Sequence, residues 1–109
     1  MVTMITLHIV NGDSRKQAMA LLKKNTELAR KAKGFVSRDI FFAQGDPLKG
    51  YSITTWKTRA DMKRFLKSPE RPPLEHEGPD KTVYEITPKG RVLLFTRTYS
   101  DVFDVVPVP

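Results

Sequence analysis

The chain has 109 residues and no cysteine. One compact domain over residues 1–109 is expected at this length, and the lack of thiols excludes disulfides, thiolate metal sites and cysteine nucleophiles. Lys and Arg number 19 against 12 Asp and Glu, a net charge of +7 that raises the expectation of an anionic partner such as nucleic acid. No apolar run approaches the roughly 20 residues of a membrane span, and the first ten residues lack a signal-peptide pattern, so we predict a cytoplasmic protein with no membrane partner.

The first two predicted elements are a strand and a long helix. Residues 3–10 form a short β-rich apolar run, bounded by the turn pair Asn11-Gly12. Apolar side chains then recur at three- and four-residue steps between Ala18 and Ala32, which predicts one amphipathic helix. The other face of this helix carries much of the basic excess, and we interpret it as solvated surface because exposed charges need no partner.

Two more strands and a second helix follow. Residues 35–43 and 50–56 are rich in β-branched and aromatic residues and predict two strands paired as a hairpin. Thr58 with Asp61 three residues later resembles a capping box, which begins the second helix, and Ser68-Pro69 ends it.

The last third of the chain predicts an irregular loop and a hairpin. Residues 68–80 hold four prolines and several acidic residues, so we predict a loop there. Residues 82–87 and 91–99 predict the closing hairpin, and residues 102–109 an apolar tail. The order β-α-β-β-α-β predicts an α+β, ferredoxin-like fold, an antiparallel sheet with both helices on one face.

Both faces of the predicted sheet carry apolar residues. Two helices can cover only one face, so the other would present Val, Phe, Trp and His side chains to water as a patch larger than monomers usually tolerate. We therefore predict a homodimer in which the sheets meet face to face and residues 100–109 pack across the dimer. The alternation that indicates this runs along the first strand, where Ile5, Leu7 and Ile9 oppose Met4, His8 and Val10.

Three stretches carry a family resemblance: Gly34-Phe35-Val36-Ser37, the strand of residues 50–56, and the passage TTWKTRADMKRFLKSPE. They resemble the antibiotic biosynthesis monooxygenase family of the dimeric α+β barrel superfamily, over roughly residues 3–70. The resemblance implies a dimeric α+β barrel of ferredoxin-like subunits, each with a small-molecule pocket between sheet and helices. It also implies oxidation of a small aromatic, phenolic or quinol-type substrate by molecular oxygen, with no organic cofactor and no metal.

A haem-degrading branch of this family relies on an Asn in the first strand, a Trp in the second helix and a His shortly after it. The helix position, nine residues past Trp56, is Phe65 here, and the strand position falls near Thr6 or His8. Only His76 lies near the expected His. We therefore do not expect haem degradation.

The two histidines, His8 and His76, are the predicted catalytic residues, since imidazole transfers protons near neutral pH. His8 lies inside the first strand, where it could abstract a phenolic proton or could be a hydrogen-bonded core histidine. His76 lies in the acidic loop, where it could cover a pocket or could simply be solvated.

Five further residues are predicted to contact the substrate: Asn25 as a hydrogen-bonding amide, Trp56 as a stacking surface, and Phe42, Met62 and Phe65 as apolar lining. Each has a structural alternative, a satisfied amide for Asn25 and core packing for the other four. The spacing of histidines and acids predicts no metal site, and no cofactor motif is present.

The RNA-recognition motif has the same element order and supplies a rival function. Residues 49–56, KGYSITTW, resemble its third-strand octamer, and residues 7–11 loosely resemble its first-strand motif. Ile53 and His8 replace aromatic residues that would stack on bases, so nucleic acid is not the expected partner. Three functions stay open: a small-molecule oxygenase, which we favour, a non-catalytic ligand-binding or structural dimer, and single-stranded RNA binding.

Overall fold

The structure is a computed structural model that describes residues 1–108. Six antiparallel strands form one sheet in the order β2-β3-β1-β6-β5-β4, accompanied by two α-helices. The predicted α+β, ferredoxin-like fold is confirmed. None of the helices within residues 1–108 is long and apolar enough to cross a membrane. The elements are β1 (Val2–Val10), α1 (Arg15–Lys31), β2 (Phe35–Ala43), β3 (Asp46–Trp56), α2 (Arg59–Leu66), β4 (Leu74–Glu77), β5 (Thr82–Thr87) and β6 (Gly90–Asp104).

The helices form where the sequence places their caps and apolar stripes. Gly34 follows α1 with φ +83°, a conformation that glycine adopts without steric cost. Thr58 caps α2, because its Oγ1 accepts a hydrogen bond from the backbone N–H of Asp61 at 3.1 Å. The buried residues of α1 follow the predicted three- and four-residue steps and are Ala18, Leu21, Leu22, Asn25 and Ala29.

The predicted irregular loop of residues 68–80 is wrong in part, because it contains β4. This strand pairs with β5 at the edge of the sheet. The Arg91 guanidinium holds it through Nη1, which lies 2.8 Å from Glu75 Oε1 and 2.7 Å from Glu77 Oε2. Charged side chains are common on edge strands, since they discourage pairing with another chain. Two of the acidic residues that indicated a loop, Glu75 and Glu77, are thus part of a short exposed strand.

The predicted tail also begins as a strand. Residues 102–104 belong to β6 and pair with β1 of the same chain, with Val102 opposite Met4 and Asp104 opposite Val2. Beyond the strand, the backbone N–H of Val105 donates to the carbonyl of Met1 at 3.0 Å. Pro109 lies outside the described residues. Packing of residues 100–109 across a dimer stays a prediction.

The two faces of the sheet differ from the expectation in one respect. Trp56 and His8 are buried on the face that the helices cover. The register places the opposite set of side chains on the outer face, where exposed aromatic residues cluster around Leu7. These aromatic residues are Phe41, Tyr51 and Tyr99, and a fourth exposed aromatic residue, Phe103, lies opposite Thr3.

The core beneath the helices is divided into two hydrophobic clusters. One surrounds Leu22, Leu94 and Phe95 near one end of the sheet. The other surrounds Trp56 and Phe65 near the opposite end. Side chains between these clusters on the helix-covered face are polar, and this interruption positions the candidate site.

Candidate active site

A polar band crosses three adjacent strands in the middle of the helix-covered face. On β1 the residues facing the helices are apolar at both ends of the strand and polar in the centre, and neighbouring strands repeat this pattern because residues in register share a face. A cavity of about 280 Å³ lies over this band. The polar residues that line it from these three strands are Thr6, His8, Ser52, Thr54, Thr98 and Ser100.

His8 is fixed inside this cavity. Its Nε2 lies 3.0 Å from Ser52 Oγ, and its ring centroid lies 4.9 Å from that of Phe95. Burial, and secondly the charge of Arg38, lowers the pKa of His8 to about 4. The imidazole is therefore neutral at pH 7 and offers a lone pair on one nitrogen and an N–H on the other.

Two arginines also line the cavity. Arg38 projects from β2, donating from Nε to Thr26 Oγ1 at 2.9 Å and from Nη1 to Thr54 Oγ1 at 2.7 Å. Arg71 follows α2, donates from Nη1 to the carbonyl of Leu66 at 3.1 Å and lies over the Phe65 ring at 5.3 Å. Burial lowers the pKa of both groups, and Arg71 lowers that of Arg38 further.

Three buried polar atoms have no hydrogen-bond partner within residues 1–108. They are His8 Nδ1, Asn25 Oδ1 and Arg71 Nε. All three belong to residues that line this one cavity. Buried polar groups are almost always paired, so a cluster of such atoms around one space indicates a place where a polar ligand or water completes the bonding.

Apolar and aromatic side chains form the rest of the lining. Trp56 packs against Phe65 with ring centroids 5.0 Å apart and against Phe35 in an edge-on arrangement at 5.9 Å. Leu21 and Leu22 of α1 and Phe95 of β6 also line the cavity. An apolar cavity with a few convergent polar groups is the ordinary composition of a small-ligand site, and its volume favours a compact ligand.

His76 lies at the rim of the cavity. It lines the space from β4, yet its side chain is exposed to solvent. Partial desolvation, followed by the charges of Arg71 and Lys81, lowers its pKa. His8 and His76 therefore share one cavity, one at its base on the sheet and one at its edge.

The other predicted site residues divide into two groups. Asn25, Trp56 and Phe65 line the cavity with the histidines. Phe42 and Met62 do not: Phe42 packs at the edge of the cluster around Leu22 and Leu94, and Met62 is buried in the cluster around Trp56. Phe42 also lies 5.9 Å from the guanidinium carbon of Arg15.

Neither arginine was among the predicted site residues. Arg38, Ile40 and Phe42 occupy every second position of β2 and are half-buried, whereas the residues between them are exposed. A charged residue among the half-buried positions of a strand was therefore the sequence signal that could have placed Arg38 in the cavity. Arg71 follows the Pro69 that ends the second helix, and nothing in its local sequence indicates that it folds back over Phe65.

Within residues 1–108 there is no group of three or more His, Asp or Glu side chains that could hold a metal ion. The titratable groups of the cavity are two histidines and two arginines. The cavity therefore offers a neutral imidazole at its base, a second imidazole at its rim, two positive charges and a buried amide.

A family sequence model and several solved structures are similar to this chain. Residues 1–71 match the sequence model of the family described as antibiotic biosynthesis monooxygenase. No sequence among the curated proteins matches the chain.

Three similar solved structures illustrate the shared fold. A structure described as an antibiotic biosynthesis monooxygenase is 16% identical, covers 98% of this chain and 100% of its own, and superposes with a TM-score of 0.69. SnoaB of Streptomyces nogalater, described as a cofactor-independent oxygenase, is 11% identical over 98% of this chain and 94% of its own, with a TM-score of 0.67. Rv0793 of Mycobacterium tuberculosis is 16% identical over 98% and 96% of the two chains, with a TM-score of 0.71. At these identities the structures establish the fold.

Proposed function

The chain belongs to the antibiotic biosynthesis monooxygenase family, and we propose that it is a cofactor-independent monooxygenase acting on a small phenolic or quinol-type aromatic. The observation that carries this proposal is the cavity between sheet and helices, which combines aromatic lining with a neutral, buried imidazole. The description of SnoaB as a cofactor-independent oxygenase supports it, because the two chains share a fold.

The proposed reaction converts a phenol with a free ring position para to its hydroxyl, together with O₂, into a quinone and water. Loss of the phenolic proton makes the ring electron-rich. Electrons pass from the phenolate to O₂, a carbon–oxygen bond forms at the para carbon, and protonation gives a hydroperoxide. Loss of water from this hydroperoxide leaves the second carbonyl. One oxygen atom enters the product, the other leaves as water, and four electrons move from the ring to O₂.

His8 is the proposed acceptor of the phenolic proton. With a pKa of about 4 the imidazole is neutral at pH 7 but is by itself a weak base. The positive charges of Arg38 and Arg71 compensate, because they stabilise the phenolate and so lower the pKa of the bound phenol. The phenolate in turn raises the pKa of His8, which brings donor and acceptor closer together.

The remaining lining residues have proposed binding roles. Trp56 and Phe65 contact the aromatic ring, while the unpartnered Oδ1 of Asn25 accepts a hydrogen bond from a hydroxyl of the substrate. His76, at the rim, is the proposed second proton-transfer group and connects the cavity to solvent.

Oxygen uptake tests the proposal. Chelator-treated protein with no added flavin is mixed with 1-naphthol, and the expected result is consumption of one O₂ per quinone formed. His8→Ala should lower kcat by about 10²- to 10⁴-fold, the usual contribution of a proton-transfer group. Lys23→Ala, on the exposed face of α1, is the matched surface control. Absence of uptake with phenols and hydroquinones alike would leave the non-catalytic ligand-binding role as the better account.

We also propose that the outer face of the sheet is the interface of a homodimer. The register arranges this face in rows, with Phe41, Tyr51, Leu7 and Tyr99 in the central row. Phe41 and Tyr99 are 53% and 55% exposed, which is costly for an aromatic row on a soluble domain.

The charges beside the aromatic row are self-complementary. The row on one side contains Asp39 and Asp101, and the row on the other side contains Lys49 and Arg97. A two-fold axis along the aromatic row would place the acidic row of one copy opposite the basic row of the other. This arrangement favours a second copy of the chain as the occupant of the face.

Light scattering on the purified protein tests the dimer. The expected result is a dimer whose mass does not change with salt or nuclease treatment. A monomer that binds single-stranded RNA with steep salt dependence would instead support the rival function, with Tyr51 and its neighbours as stacking surfaces. His8 cannot supply the first-strand stacking residue, because it is buried beneath the helices.

A further inference from the structure

The guanidiniums of Arg38 and Arg71 enter one cavity from different elements. Arg38 comes from β2, the first strand of the chain's first hairpin, and Arg71 comes from the segment between α2 and β4. Each is held in place, Arg38 by two threonine hydroxyls and Arg71 by a backbone carbonyl and the Phe65 ring. Two fixed positive charges therefore face the same small space.

Neither arginine has a counter-charge in the described part of the chain. The ion pairs within residues 1–108 join Arg64 to Asp61 and Arg91 to Glu75 and Glu77. All the hydrogen-bond partners of Arg38 and Arg71 are uncharged. A buried charge is costly unless it is paired, so two unpaired guanidiniums beside each other indicate an anion-binding function.

The donors that remain fit a carboxylate. A guanidinium presents five N–H donors in a planar fork, and only two of those of Arg38 are used in its bonds to Thr26 and Thr54. The Nε of Arg71 is buried without a partner. Two carboxylate oxygens can accept from both groups at once, whereas the neutral oxygen of a phenol offers weaker, single bonds.

From this geometry we propose that the ligand of the cavity is an aromatic monocarboxylate, with its carboxylate between Arg38 and Arg71 and its ring against Trp56 and Phe65. The aromatic lining distinguishes such a ligand from inorganic phosphate, which has no apolar surface to bury. The inference deepens the proposed function, on which it rests for the identity of the cavity as the substrate site. In the proposed reaction the carboxylate is not consumed; it holds the phenolic ring beside His8. The carboxylate balances one of the two guanidinium charges, and the other charge remains to stabilise the phenolate.

The test compares two probes of the same shape. 1-Hydroxy-2-naphthoate carries a carboxylate, and 1-hydroxy-2-naphthamide replaces it with a neutral amide. Binding is measured by quenching of the fluorescence of Trp56, the single tryptophan, and by calorimetry, both without oxygen so that turnover does not interfere. We expect the carboxylate to bind at least tenfold more tightly than the amide. A large excess of inorganic phosphate should not displace it.

Variants assign the preference to the two arginines. Arg71→Gln should weaken carboxylate binding by about 10- to 100-fold, the usual value for a charge-assisted hydrogen bond, with less than a threefold change for the amide. Arg71→Lys should restore part of the affinity. Arg38→Gln should act in the same way. The Arg71 variants keep the test valid if the Arg38 variants fail to fold, because Arg71 lies outside the helices and strands and its side chain makes one hydrogen bond within the described residues, to the carbonyl of Leu66. Arg59→Gln, an exposed arginine at the start of α2, is the matched control.

The possible results separate the two proposals. Selective, arginine-dependent binding of the carboxylate without oxygen uptake would support the anion site and contradict the oxygenase. If both probes bind with equal affinity and both are oxidised, the result would support the oxygenase and overturn the anion site. Failure of the carboxylate to bind, or displacement of it by inorganic phosphate, would also overturn the proposal of an aromatic carboxylate.

Discussion

The Nε2 of His8 and the Oγ of Ser52 lie 3.0 Å apart on neighbouring strands, β1 and β3, at the base of the cavity. The hydroxyl can donate or accept, so it fixes the imidazole without requiring it to be charged. Arg38 lines the same cavity and opposes a second positive charge. The fold therefore holds His8 in its neutral form.

The neutral state of His8 predicts acid destabilisation. The ordinary pKa of 6.5 applies to the unfolded chain, whereas burial lowers the pKa in the folded protein to about 4. As the pH falls below 6.5, the unfolded chain binds a proton that the folded state does not bind until about pH 4, so the free energy of unfolding decreases through this window. Between pH 7 and pH 5 we expect a loss of about 2 kcal/mol in urea unfolding.

The His8→Gln variant provides the control for this pH dependence. Its free energy of unfolding should vary much less between pH 7 and pH 5, since no buried imidazole remains to take up a proton. His76→Gln should retain most of the dependence, because the His76 side chain is exposed. An equal slope in the wild type and His8→Gln would show that His8 is not the group responsible.

Asn25 predicts a conflict between stability and function. Its side chain is buried on α1 and its Oδ1 lacks a partner within residues 1–108. Asn25→Leu removes this unsatisfied group, so we expect the free energy of unfolding to rise by about 1 kcal/mol while kcat/KM for the phenolic substrate falls at least tenfold. Loss of both stability and activity would instead show that the amide is a structural bond.

Gly34 and Asp61 predict a strong backbone effect near the second helix. Gly34 has a φ of +83°, and the Asp61 carboxyl group occupies the space that a β-carbon would need. Gly34→Ala should therefore cost more than about 2 kcal/mol of folding free energy, from backbone strain and displacement of the N3 residue of α2. Urea unfolding of the wild type and Gly34→Ala at neutral pH measures this loss of folding free energy.

Two other glycines separate the cost of backbone strain from the cost of displacing Asp61. Gly78 also has a positive φ but open space around it, so Gly78→Ala should show the backbone strain alone, about 1 kcal/mol. Gly45 has neither feature, and Gly45→Ala should change stability little. A Gly34→Ala effect no larger than that of Gly78→Ala would mean that Asp61 moves aside freely.

The fold was predictable from local patterns because each element carries its own signal. The apolar stripe of α1 and the Thr58 cap of α2 act over three or four residues, and both are confirmed. β4 was missed because its acidic residues pair with Arg91, which lies 16 positions after Glu75 and is invisible to a local pattern.

The site was predictable only in part for a similar reason. The cavity is lined by four of the predicted residues, His8, Asn25, Trp56 and Phe65, and His76 lies at its rim. Arg71, which was not predicted, also lines it. Strand alternation shows that odd- and even-numbered residues lie on opposite faces, but it does not show which set faces the helices. The Trp and His side chains predicted on the outer face lie on the helix-covered face for this reason. Which set faces the helices depends on tertiary packing.

The charge pattern of the outer face predicts how charge-reversal variants change the dimer. If the proposed two-fold arrangement is right, Asp101 of one copy lies opposite Arg97 of the other, with Asp39 near Lys49 across the same interface. The double variant Asp39→Lys with Asp101→Lys would then bring two basic rows together and should shift the protein toward monomer at low salt, measured by sedimentation. Adding Lys49→Glu and Arg97→Glu exchanges both rows and should restore the dimer, since opposite charges again face each other. All four residues are exposed in the single chain, so none of these changes should unfold it. A dimer unaffected by the first pair of substitutions would show that the two copies meet through another surface.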